Sequence, residues 1–489
     1  MAETTETTKP AQTGIKAHFP TFLGRKAILI YQSIAGLLIL LIVAHAVWSF
    51  AEGRALAKAV APLQKQGGKA IGLGEVIPDL PRAEDNAAPI YARASEIYGP
   101  VEEEFCKRLR NNTDEKLWSF PWLSDWTPEQ DPLAREFMAK EPVQETLKLL
   151  REAAGKPECL FDLKYKDGFA MLLPHLAKAR QLTRLVSLQM RLLAADGKHS
   201  EALTWVPIGM AAARSTEREP IVISCLVKIA CEKIMINVIQ DLLSKYEPTA
   251  EELKAIEKEL RPSGKAVAMG DAMRLERAFG VDIGLQLSRG KNAAELYNAM
   301  WAKRAPWYTN IVGYLGRPVW RRATINYIRH SGRMVEIMDM PLCHKSWKDS
   351  LEQVKVMEDG FERNKIADFL AKMLLPALSR WRESTMSHEC EIQAMRIAVA
   401  MKTYKLEKGD WAKEQKALVP EYLAALPLDP YSDKEFIVQR KDGLLAVYSV
   451  GTNEADDGGD IVKRSAPPKK AGGAPGKTEW PDVGVKIKE

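Results

Sequence analysis

The chain has 489 residues, 46% of them hydrophobic and 27% charged, with 31 glycines and 28 prolines, a balance that excludes a collagen-like or wholly disordered chain. The 70 Lys and Arg against 64 Asp and Glu leave a net charge of +6, too slight over this length for a chain committed to nucleic acid. The length itself accommodates roughly two to four domains and at least one large core.

Residues 1–26 form a polar N-terminal segment, read as cytoplasmic, that ends in Arg25 and Lys26. Residues 27–50 (AILIYQSIAGLLILLIVAHAVWSF) contain no Asp, Glu, Lys or Arg over 24 positions. As a helix this run measures about 36 Å, enough to cross a hydrocarbon core of roughly 30 Å. Tyr31 near one end and Trp48 and Phe50 near the other stand where interfacial aromatics are expected. Arg54, Lys58, Lys65 and Lys69 balance the basic residues that precede the run, so the positive-inside count is a tie. The Arg25-Lys26 flank is that of a signal anchor, which places the bulk of the chain outside the inner membrane as a single-pass, periplasmic protein. The competing reading is a cleaved signal peptide with Ala44-His45-Ala46 as its small-x-small site, although the apolar run exceeds an ordinary h-region.

Residues 51–90 read as a linker, with Gly67, Gly68, Gly72 and Gly74 followed by Pro78, Pro81 and Pro89; the start is free to continue the membrane helix. Residues 91–392 read as an α-helical domain built of helical hairpins. Leu182, Leu185, Val186, Met190 and Leu193 recur at helical spacing and the pattern stops at Gly197. A second helix is expected over 200–214. Residues 220–244 are apolar nearly all round, but Lys228, Glu232 and Lys233 interrupt them, which predicts a helix buried in a soluble core rather than a second span. Between 301 and 335 lie Lys303, Arg304, Arg317, Arg321, Arg322, Arg329 and Arg333 with no Asp or Glu, interleaved with Trp301, Trp307, Tyr308, Tyr314, Trp320 and Tyr327. That pattern suits nucleic acid, anionic lipid headgroups or acidic polymers. The simpler expectation is a solvated basic face whose aromatics pack inward.

No catalytic motif stands out. The six cysteines share no CxxC spacing, and Cys225 and Cys231 fall in an apolar helical run, where a thiol packs as a small hydrophobe. None of the seven histidines has an HxxxH or HExxH partner. His388 adjoins Glu389 and Cys390, but neighbours on a helix point in different directions and do not converge on one metal. Paired carboxylates leave no local signature, so an envelope hydrolase with an acidic site in the helical domain stands as the alternative to a non-enzymatic protein.

Near the C-terminus, Ala394, Ile397, Ala398, Met401 and Tyr404 mark a helix face that ends at Gly409. The turn Pro427-Leu428-Asp429-Pro430 follows, and then Asp442-Gly443 stands between two β-prone runs, a hairpin signal. The next loop, GTNEADDGGDI, gathers Asn453, Asp456, Asp457 and Asp460, hard oxygen donors of the kind that hold Ca²⁺. Over residues 393–463 the order of helix, LPLDP turn, hairpin and YSVGTNEADDGGDI resembles the C-terminal domain of the major pseudopilin of type II secretion. The resemblance implies a small α+β module in which Asp456, Asp457 and Asp460, with Asn453, hold calcium. The prepilin leader departs from that family's pattern, because Gly24 is followed by Arg25 and Leu29 stands in place of its glutamate. As a whole the chain resembles a group of bacterial proteins that join a membrane anchor, a segment like AEDNAAPIYARASEIY, a helical middle with GKPECLFDL and this C-terminal unit; that likeness implies architecture only. Residues 464–489, rich in Lys, Gly and Pro, read as a disordered tail. The expectation is therefore a mainly α protein, anchored in the bilayer through residues 27–50, that works by interaction or scaffolding near a type II secretion or pilus-like assembly and binds no nucleic acid.

Overall fold

The computed structural model describes residues 25–66, 77–110, 131–289 apart from 263 and 265, 294, 298, 304–363, 368, 371, 376–461 and 482–488. Its first helix, α1 (Arg25–Gln66), is 42 residues long and continuous. Residues 28–51 are exposed on nearly every side, and this part is long and apolar enough to cross a membrane. Beyond it the character of the same helix changes, because Glu52, Leu56, Val60 and Leu63 are buried along one stripe. Residues 51–66, expected within the linker, thus extend the helix as an amphipathic segment: their apolar positions recur every three to four residues, Gly53 is their one glycine, and the glycine-rich stretch begins only at Gly67.

The body is helical. In chain order come α2 (Ala88–Arg110), α3 (Asp131–Met138), α4 (Glu141–Ala154), α5 (Pro174–Ala195), α6 (His199–Leu203), α7 (Val206–Ala213), α8 (Val222–Leu243), α9 (Ala250–Leu260), α10 (Met269–Arg289), α11 (Thr309–Leu315), α12 (Arg317–Asp339), α13 (His344–Arg363) and α14 (Pro376–Lys408). The helix expected over 200–214 is two helices, since Pro207 lies in the first turn of α7 and cannot continue the ladder from α6. The apolar run 220–244 is α8 (Val222–Leu243), more than half of whose positions are buried, Glu232 among them inside the core. A threonine capping box opens α9, with Thr249 and Glu252 exchanging hydrogen bonds with each other's backbone.

Two cores result. The larger joins α2–α9, the second half of α14 and the C-terminal sheet. The smaller lies between α10 and α12 and takes in Leu63 of α1, with Leu56 and Val60 packed on Ile325 beside it.

The sheet is antiparallel with order β1-β2-β3, where β1 is Ile437–Lys441, β2 Leu444–Ser449 and β3 Val483–Lys488. The hairpin expected at Asp442-Gly443 is present, both residues having positive φ as a type I′ turn requires. The third strand is a correction: residues 483–488, assigned to a disordered tail, pair along the whole of β2. Val483, Val485 and Ile487 alternate inward and are buried. Averaging over the Lys, Gly and Pro of the preceding stretch hides this period-two pattern. Residues 462–481 fall outside the described residues. The boundary expected at 392/393 is interior to α14, against which β2 and β3 pack, so the module shares the large core.

Candidate functional site

The two segments singled out in the N-terminal half meet in space. Asn86 of AEDNAAP accepts from the backbone N–H of Ala88 (3.1 Å) and Leu160 (3.0 Å) and donates to the Leu160 carbonyl (2.9 Å), so it starts α2 and ties it to CLFDL. Backbone bonds from Ala87 to Glu158 and from Glu158 to Asp85 complete a short parallel bridge. This joint holds one end of a cleft of about 1130 Å³ between α2, residues 161–172 and α5.

Its chemistry comes from side chains set by helical spacing. On α2, Glu102 lies on the stripe of Tyr98 and Phe105 and is therefore buried. Burial pushes its carboxyl up to about 7, although Lys178 and Arg184 of α5 pull the other way. His175, one turn before Lys178, has its ring stacked on Phe161, and its Nε2 lies 2.9 Å from Oε1 of Glu219. Glu219 is fully buried and also accepts from the Ser224 hydroxyl at 2.5 Å. A carboxyl that titrates near neutrality facing two cations, in a site of ligand size, can bind a charged ligand or move a proton. The arrangement is not a serine triad, because Glu219 stands between Ser224 and His175 and the imidazole does not reach the hydroxyl. Sequence reading missed Glu102, His175, Lys178 and Glu219 as a set; the one legible signal was an acidic residue on the apolar stripe Tyr98-Glu102-Phe105.

The acidic loop expected to hold calcium is organised by protein donors. Tyr448 and the backbone N–H of Gly458 donate to Asp456 (3.1 and 2.9 Å), and the amide of Asn453 donates to Asp457 (2.8 Å). Asp460 is exposed. Behind the loop stands Asp482, immediately before β3, which accepts from the backbone of Asp457 and Gly459. Its carboxyl is raised by burial and, further, by the charges of Asp457 and Asp456. Asn453, Asp456 and Asp457 are thus brought together, with Asp482 as a member that sequence reading placed in the tail. Among the described residues no three His, Cys, Asp or Glu side chains converge in a geometry ready for a metal ion.

The LPLDP turn owes its shape to Asp429, which is buried and accepts from the backbone of Tyr431 and the hydroxyls of Ser432 and Ser449. His388 turns away from Cys390 and bonds Glu232 across the core (2.8 Å). All six cysteines are free thiols, and burial pushes that of Cys231 up to about 11, consistent with a packing role. No known protein family, curated protein or solved structure matches this chain.

Proposed function

We propose that the protein is a single-pass, envelope-facing membrane protein that holds a helical body rigidly at the bilayer surface for interaction or scaffolding. The observation that carries this reading is the continuity of α1: the apolar segment and the buried stripe Leu56-Val60-Leu63 belong to one helix, with no flexible tether between them. A tether would suit a domain that searches for its target, whereas a rigid stalk suits one that presents a surface at fixed height. The pseudopilin-like order of helix, LPLDP turn and hairpin supports a setting beside a secretion or pilus-like assembly. The test is extraction of full-length protein from its own membranes with mild detergent. Resistance to carbonate together with stoichiometric co-purification of envelope proteins is the expected result; release by carbonate overturns the anchor, and a partner-free protein overturns the scaffold.

A second reading, an envelope hydrolase, is favoured by the Glu102 cleft. It requires hydrolytic activity on some class of envelope polymer that Glu102→Gln abolishes while the protein stays folded. Calcium binding by the acidic loop is a separate proposal, supported by the crowding of Asp456, Asp457 and Asp482. The residues suit the ion in donor chemistry, and Asp457 would have to release the Asn453 amide to take part. On this proposal the protein melts at higher temperature in Ca²⁺ than in chelator, and Asp456→Asn with Asp457→Asn removes the difference.

A further inference from the structure

The basic and aromatic stretch after residue 301 does not turn its aromatics inward throughout. Tyr327 is buried, but Trp307 is 86% exposed, and Tyr308, Ile311, Val312, Tyr314 and Leu315 are all about half exposed. Six large apolar side chains uncovered within nine residues form a patch, which single exposed hydrophobics do not.

Its position is set by contacts with α1. The carbonyl of Leu315, the last residue of α11, lies 2.8 Å from Nε2 of His45. Arg321, on the next helix, donates to Ser49, and Arg322 bonds Glu52. These contacts climb the two segments together, so the end of α11 stands beside the apolar segment of α1 and α12 beside the first buried turns. His45 lies five residues inside the end of the apolar run, about 7.5 Å along the helix axis. That is the depth, roughly 5–10 Å below the headgroup boundary, at which interfacial helices bury their apolar face.

We propose that residues 304–322 form a second, interfacial contact with the bilayer, in which Trp307 and α11 enter the outer leaflet next to the membrane helix. Arg304 and Arg317, the latter with its guanidinium stacked on Tyr314 at 3.9 Å, meet anionic headgroup phosphates at its edge. The inference rests on the anchored reading of α1. The occupant is lipid because the patch ends at Leu315, which abuts the exposed apolar segment of α1 at His45. The sign of the charge agrees: residues 301–335 contain seven Lys and Arg and no Asp or Glu. With the stalk, this contact makes two attachment points and fixes the rotation of the body about α1 as well as its height.

The test uses full-length protein in nanodiscs of partly anionic lipid, with and without bromine on the acyl chains. The emission lost on Trp307→Phe isolates Trp307, and that lost on Trp48→Phe isolates a reporter on the membrane helix; Trp307 is exposed, so its replacement spares the fold. The expected result is that acyl bromine quenches both components at least twofold. Quenching of Trp48 with unchanged Trp307 emission overturns the interfacial contact and leaves the anchor intact. If neither is quenched, the anchored reading fails and the interfacial contact with it.

Discussion

The proximal unit, made of α1 with its apolar segment, α10, α11 and α12, and the distal unit, made of α2–α9, α14 and the sheet, solve the packing problem differently. The distal unit has a large continuous core and can bury charge inside it. Glu232 sits there between Arg214 (2.7 Å), Lys228 and His388. The proximal unit has a small core, closed by one face of a helix whose other half is apolar on all sides, and its buried charges have fewer charged partners: Glu52 meets the half-exposed Arg322, and Arg382 donates to the backbone carbonyls of Ile337 and Pro341. Burial of charge demands surrounding structure that compensates it, and the larger core supplies it from several charged groups at once. The smaller one depends on close helix contact.

The largest expected effect breaks the distal network. Glu232→Ala leaves Arg214 and Lys228 without their buried partner and costs about 3 kcal/mol or more of stability, measured by denaturant unfolding. Burial alone would raise the Glu232 carboxyl, yet the His388 hydrogen bond and the charges of Lys228 and Arg214 hold it well below its ordinary 4.5. Its contribution is therefore present above pH 4.5 and lost as pH falls through the folded value. Burial opposes the charge on His388, but Glu232 and Glu391 raise it above its ordinary 6.5, so that contribution is full below pH 6.5 and lost as pH rises. The parent's stability advantage over Glu232→Ala should peak between these limits. A pH-independent difference would show that the network acts through packing alone.

Close contact in the proximal unit is tested by a pair of glycines. A Cβ on Gly280 of α10 would lie 2.2 Å from the Tyr327 ring, which is buried and held by its hydroxyl to the Glu276 carbonyl. A Cβ on Gly209 of α7 would meet the end of Met235 at the same distance, but a methionine can move aside. Gly280→Ala should cost about 2–3 kcal/mol and Gly209→Ala less than about 1 kcal/mol. Equal losses would remove the contrast between the two seams.

The cleft gives a smaller, pH-dependent effect. A carboxyl raised to about 7 costs stability where it must ionise, so its favourable contribution is full below pH 4.5 and lost as pH rises through 7. Glu102→Gln should stabilise the protein at pH 8 by on the order of 1–2 kcal/mol, allowing for partial screening, and leave it unchanged near pH 5. Destabilisation at both pH values would mean that Lys178 and Arg184 need the carboxylate more than burial opposes it. Of similar size, Arg322→Ala should lower proximal stability by about 1–2 kcal/mol, because the arginine itself is half exposed but its loss leaves the buried Glu52 carboxylate without its cation.

Periodic features were legible in advance. The apolar segment 27–50, the α5 stripe from Leu182 to Leu193, the buried α8 and the Asp442-Gly443 hairpin each announce themselves within one stretch of chain, because spacing or turn chemistry dictates local structure directly. Strand β3 was hidden by the composition around it, and the extension of α1 to Gln66 was left open by a reading in which glycines and prolines weighed heavily. Of the candidate sites, the acidic loop was visible as a cluster of donors, whereas the Glu102 cleft was not, since its groups come from residues 102, 175, 178 and 184, with Glu219 behind His175.

What this sequence determines by itself is which segments are helical, which one is apolar enough for a bilayer and where the hairpin turns, all consequences of neighbours within a few residues. Tertiary structure alone decided that Asn86 meets Leu160, that Asp482 stands behind Asp457, that His388 finds Glu232 and that Leu315 sits beside His45. Each of those contacts closes a long loop of chain, and its energy depends on burial, which no local pattern encodes.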